Sequence, residues 1–165
     1  MGKWIAGIVA TVISGVLLAI LVPRFTAQSA PPPPPSNPPV TSAPAQVLCS
    51  SPTTVQGTSF LDLASCSGST SGDVWWEQVD SVRRRLTPQS GTTLANLHTV
   101  SFSSVSSDRL RSLSYSSLPI DGSNTASNQL TPGTVVAVKT RGGHYGKVRI
   151  DSYGYDLRVT VTTYV

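Results

Sequence analysis

Trp4 to Val22 read WIAGIVATVISGVLLAILV, 19 consecutive residues without a charged side chain. At about 1.5 Å of rise per residue a helix over this run is roughly 28 Å long, the depth of a bilayer's hydrocarbon core. The run therefore predicts one transmembrane helix over residues 4–22. A cleavable secretory signal is the competing reading. Its apolar region normally covers about 7–15 residues, and a small-x-small cleavage site is needed downstream. Ala27-Gln28-Ser29 fits that pattern, but a cut after Ala30 sets Pro31 beside it. The length of the run favours retention as an anchor in the lipid bilayer.

Orientation follows the flanking positive charge. Lys3 and the amino terminus stand against Arg24 alone on the far side, so residues 1–3 are expected as a cytoplasmic tip and everything after residue 23 outside. Within the span, Ala6, Ala10 and Ser14 recur every fourth residue, as do Gly7, Thr11 and Gly15. That spacing allows close helix–helix contact, hence self-association through the span, although small residues are common in such helices.

Residues 23–45 are expected to be a disordered, Pro-rich stalk, because eight of the 13 prolines lie between 31 and 44 and the segment contains PPPPPSNPP. Consecutive prolines lack backbone donors and hold φ, which leaves polyproline II at about 3.1 Å per residue, enough for 20 such residues to reach about 60 Å. Pro31 and Pro34 also satisfy P-x-x-P, the pattern of SH3 and WW ligands, but any proline run does so.

The remaining 120 residues, 46–165, suffice for one modest core and are expected as an extracytoplasmic β domain. Its carboxyl-terminal third is the clearest part: TVVAVKT, YGKVRID and DLRVTVTTYV are β-branched runs separated by turn residues, a three-stranded antiparallel meander. A three-residue loop Arg141-Gly142-Gly143 with Gly143 left-handed pairs Thr140 with His144 and sets Val138 and Val136 opposite Gly146 and Val148. A second turn at 152–155 pairs Asp151 with Asp156 and continues the apolar face through Leu157, Val159 and Val161. The other face carries Val135, Ala137, Lys139, Tyr145, Lys147, Arg149, Arg158, Thr160 and Thr162 and is expected to be wet. Upstream, SFLDLAS, GDVWWEQ and RRRLTP predict short strands, SSDRLRSLSY one helical turn, and 118–130 a loop. The fold class expected is all-β, an antiparallel sandwich or a partly open barrel.

Cys49 and Cys66, the only cysteines, lie 17 apart, and a disulfide between them suits an extracytoplasmic domain. With His98 and His144 they lack the clustered spacing of zinc ligands, so neither metal nor cofactor is expected. Charged residues make up 12% of the chain, with a net charge of +4, which makes a polyanion-coating protein a poor reading and nucleic acid a poor partner.

Chemistry is sparse. There is no G-x-S-x-G elbow, and nothing in the sequence sets a Ser beside a His. Trp75 and Trp76 point to opposite faces of their strand, which sends Val74 and Trp76 inward and leaves Trp75 between Asp73 and Glu77. A Trp flanked by carboxylates can stack on a sugar or anchor a protein partner, but coverage by a second sheet or by the 118–130 loop is the favoured reading, since large aromatics are highly buried on average. A second candidate surface interleaves cation and aromatic at Tyr145, Lys147 and Arg149, with Lys139 and Arg158 beside them. The order anchor, spacer, compact domain points to a single-pass membrane protein presenting a small, non-catalytic β module for binding or structure. Two alternatives differ in class: a polysaccharide-binding or glycan-active accessory domain, and a cytoplasmic sensor or effector tethered to the membrane.

Overall fold

The computed structural model describes residues 45–165. The helix expected over 4–22 and all but the last residue of the stalk expected over 23–45 lie outside the described residues.

Strands β1 (Val47–Val55), β2 (Phe60–Asp62), β3 (Ser67–Ser69), β4 (Val74–Gln78), β5 (Arg84–Pro88) and β6 (Thr93–Thr99) come first. A short helix α1 (Ser107–Arg111) follows, then β7 (Ile120–Asp121), β8 (Thr134–Lys139), β9 (Tyr145–Ser152) and β10 (Leu157–Tyr164). They form two antiparallel five-stranded sheets, ordered β1-β10-β9-β8-β6 and β3-β2-β4-β5-β7. Alternation along each strand explains why the sheets pack face to face. Val136, Val138, Val148, Ile150, Val159 and Val161 from the first sheet share one buried core with Leu61, Val74, Trp76 and Leu86 from the second. The domain is thus all-β, as its turn-punctuated strands predict.

The β8–β9 hairpin has the expected register, with Val138 opposite Gly146 and Val136 opposite Val148. Thr140 N donates to His144 O at 2.9 Å, and Gly143 sits at φ +84°, where a Cβ is disfavoured. The next pairing corrects the expectation. Val159 faces Ile150 and Val161 faces Val148, two residues away from the register that an Asp151–Asp156 pair would impose. The apolar face survives because a slip of two preserves side-chain parity. A bulge beside Arg158 takes up the difference, and the connection runs from Tyr153 to Asp156.

The face expected to be wet is dry over part of its area, whereas Lys139 and Arg158 stay exposed. Val135 and Ala137 are fully buried, Lys147 is 5% exposed and Thr162 7% exposed. The segment from Val100 to Tyr115 folds across them, placing Phe102, Val105, Leu110, Leu113 and Tyr115 in a second apolar cluster on that side of the sheet. α1 is the expected helical turn, and Ser106 Oγ caps it by accepting from Arg109 N at 3.2 Å.

β1 is an edge strand that carries Pro52, a residue tolerated there because one side of an edge needs no donor. Cys49 in β1 forms the disulfide with Cys66, next to β3, at a Cα–Cα distance of 5.9 Å. The bond ties an edge of one sheet to an edge of the other.

Candidate functional site

Two surfaces carry the residues that the sequence singles out, and a third lies apart from them. The first is the outer face of the β3-β2-β4-β5-β7 sheet. Val74 and Trp76 are fully buried, and Trp75 points to the other side, where it stacks on Phe60 with ring centroids 5.9 Å apart and planes 19° apart. Its Nε1 donates to Thr58 O at 3.2 Å. Phe60 is the cross-strand partner of both Ser69 and Trp75, and Trp75 of Thr87, so these four form one row across the sheet.

The carboxylates beside Trp75 are engaged within the fold. Asp73 Oδ2 accepts from Leu63 N at 3.0 Å and Oδ1 from Thr92 Oγ1 at 3.5 Å, which holds the loop before β4. Glu77 takes Arg85 Nη2 at 2.9 Å on Oε1, and Thr87 Oγ1 at 2.9 Å on Oε2. The Arg85 hydrogen bond keeps the Glu77 carboxyl below its ordinary value, against burial, which pulls it upward, with Thr87 adding to the lowering.

The second surface lies across the molecule, on the outer face of the other sheet. Trp75 therefore shares no site with Tyr145, Lys147 and Arg149. Those three alternate on β9 but do different things. Tyr145 lies between two cations, Arg111 at 5.9 Å and Lys139 at 5.8 Å from its ring centroid. Its ring is 6.2 Å from that of Tyr115, whose phenol is pushed up by burial and by the Tyr145 charge and donates to Leu110 O at 2.7 Å. Lys147 is buried. Arg149 Nε donates to Asp151 Oδ1 at 2.6 Å and Nη2 to Thr160 Oγ1 at 3.0 Å, with its guanidinium over Phe102. Arg83 pairs with Asp80 through Nε at 2.6 Å, and Arg84 lies over the Tyr153 ring. His98 sits at φ +56° in an interrupted stretch of β6, and His144 closes the β8–β9 hairpin.

The third surface was not singled out by the sequence. A cleft of about 400 Å³ opens between β1, the β3 region and the β9–β10 connection, lined by Thr54, Gln56, Ser59, Ser69, Thr70 and Asp156. Tyr155, the chain neighbour of Asp156, lies outside that lining, with its ring beside Gly57, and is 63% exposed. Such a cleft leaves no linear signal, because Ser and Thr are common along this chain and its walls are more than 100 residues apart in places. Among the described residues no group of three His, Cys, Asp or Glu gathers as a metal site.

Compared with protein-family models, with curated proteins and with solved structures, the chain matches none.

Proposed function

We propose that this chain is a single-pass membrane protein whose β domain is displayed outside the cytoplasm as a non-catalytic binding module. The observation that carries the reading is the Cys49–Cys66 pairing of the two sheet edges. Disulfides of this kind persist in oxidising compartments, whereas cytosolic thiols are kept reduced. The apolar run 4–22 and the prolines of 31–44 supply the anchor and spacer that such a display needs. The non-catalytic half of the reading is supported at Trp75, where both neighbouring carboxylates already have structural hydrogen-bond partners.

The test uses intact cells that make the full chain. Free thiols are blocked in place with an alkylating reagent, and protease is then added outside. The expected result is an unmodified Cys49–Cys66 pair and loss of the domain to protease. Alkylation of both cysteines with the domain protected would establish the cytoplasmic sensor instead.

A further inference from the structure

We propose that the cleft between β1, the β3 region and the Tyr153–Asp156 connection binds neutral glycans, with Tyr155 as the ring on which a sugar face stacks. This deepens the displayed-module reading and rests on it.

The lining sets the ligand chemistry. Thr54, Ser59, Ser69 and Thr70 offer hydroxyls, Gln56 an amide and Asp156 a carboxylate. Each hydroxyl can both donate and accept, the pattern that a polyhydroxylated ligand needs. No Lys or Arg lines the cleft, so an anionic polymer finds no counter-charge there. Its size of about 400 Å³ falls within the range of small-molecule sites, about 300–1,000 Å³.

The aromatic platform is already held in place. The Tyr155 ring rests on Gly57, where an added Cβ would lie 2.5 Å from the ring atoms, so only glycine lets the ring settle there. Trp76 Nε1 fixes the Tyr155 carbonyl from the core at 2.9 Å, and Gly57 N donates to Asp156 Oδ1 at 3.0 Å. The residue as a whole is 63% exposed, so most of its surface is open to solvent. A ring fixed before binding loses little conformational freedom when a ligand stacks on it. Asp156 Oδ2 accepts from none of the described residues and remains available to a ligand hydroxyl.

The cleft also leads onto an aromatic row. Ser69 in its wall is the cross-strand partner of Phe60, and Phe60 of Trp75, with neighbouring strands about 4.8 Å apart. A chain of sugars leaving the cleft along this row would meet Phe60 and then Trp75. The preferred ligand is therefore an oligosaccharide rather than a single sugar.

The full chain, kept in micelles of a sugar-free zwitterionic detergent, is titrated calorimetrically with glucose-, N-acetylglucosamine- and mannose-based hexasaccharides and with a sulfated polysaccharide. The expected result is saturable binding of at least one neutral hexasaccharide, weakened at least fivefold by Tyr155→Ala and by Asp156→Asn and unchanged by Lys139→Ala. Asparagine can still accept the Gly57 hydrogen bond, so Asp156→Asn reports on the ligand and not on the turn. Thr70→Arg, at an exposed position on the rim, blocks the cleft without touching the core and should abolish binding; it decides the matter if Tyr155→Ala lowers the melting midpoint. Binding of none of the neutral sugars, binding of the sulfated polymer alone, or indifference to these substitutions would overturn the proposal. Protease protection in cells would instead sink the displayed-module reading, whatever the titration gives.

Discussion

Lys147 donates from Nζ to the carbonyl oxygen of Val105 at 2.8 Å, beneath the second apolar cluster. The same ammonium donates to Phe102 O at 2.8 Å and sits 4.4 Å from the centre of the Phe102 ring. The cation is balanced by carbonyl dipoles and an aromatic face, and none of the four ion pairs among the described residues involves it. It works as a clip that fastens the 102–105 turn to β9. Lys147→Met keeps the apolar stem and removes the clip, leaving the Val105 carbonyl without its partner while Phe102 O keeps only Val105 N at 3.4 Å. We expect a loss of about 2–4 kcal/mol in urea unfolding and faster tryptic cleavage at Arg109 and Arg111. Unchanged stability with unchanged cleavage would show that the turn holds itself.

The Cys49–Cys66 bond joins residues 17 apart in sequence, one in edge strand β1 and the other just before edge strand β3 of the second sheet. In the loop-entropy model a bond of this span adds about 3 kcal/mol, by restricting the unfolded chain. Cys49→Ser combined with Cys66→Ser should lower the unfolding free energy by about that amount. The denaturant slope should rise, since the unlinked chain exposes more surface. A purely native-state effect would leave the slope where it was.

How much of this was legible in the sequence varies by element, for physical reasons. Strands β8 and β9 could be paired residue by residue, because Val136, Val138 and Val148 must share a face and Gly143 marks the turn. The second turn fixed parity but not register, since a shift of two residues costs nothing in the alternation pattern. β1 hid behind Pro52 and a run of Ser and Thr, whose place in a sheet depends on being an edge. The burial of Lys147 was invisible for a different reason: its cover comes from a segment some 42 residues away, and no local period reports that. At the candidate surfaces, the inward Trp76 followed from alternation. The Phe60 stack and the Tyr155 platform depend on which strands become neighbours, information that one strand alone does not carry.

Acid should destabilise the domain over a defined window. Glu77 and Asp80 titrate below their ordinary values of 4.5 and 3.8, Glu77 through the Arg85 hydrogen bond, and Asp80 down to about 2 through the backbone N–H and then the side chain of Arg83. Asp121 is lowered by the hydroxyl of Ser123. A carboxyl whose folded value is depressed binds its proton first in the unfolded chain. Its stabilisation is therefore complete above the unfolded value and is lost as pH falls toward the folded one. The melting midpoint should hold steady from pH 7 to about 5 and fall between about 4.5 and 2. Glu77→Gln should flatten part of that fall; an unaltered profile would place the acid sensitivity elsewhere.

Gly143 separates two causes of strain. Nothing lies within 4 Å of a Cβ built there, yet its φ is +84°. Gly143→Ala therefore meets no clash and should still cost about 1–2 kcal/mol through the left-handed backbone alone. Gly143→Asn should cost less, because asparagine tolerates that region. Equal losses for the two variants would point to a contact that the open space rules out.

Trp76 links the core to the proposed glycan cleft. Its ring is fully buried, its edge contacts Tyr153 at 6.0 Å between centroids, and its Nε1 donates to Tyr155 O. Trp76→Phe keeps an aromatic in the core but removes the donor that fixes the 153–156 connection. The Tyr155 carbonyl, which faces the fully buried Trp76, loses its partner, so the hydrogen bond itself should account for about 1–3 kcal/mol, with a further loss from the smaller ring. The effect on binding should be separable from the effect on folding. At a temperature where the variant is fully folded, hexasaccharide affinity should still drop, because Tyr155 must now be ordered at the moment of binding. The drop should appear as a less favourable binding entropy. A folded Trp76→Phe variant with full affinity would mean that the Tyr155 platform is held by Gly57 and Asp156 alone.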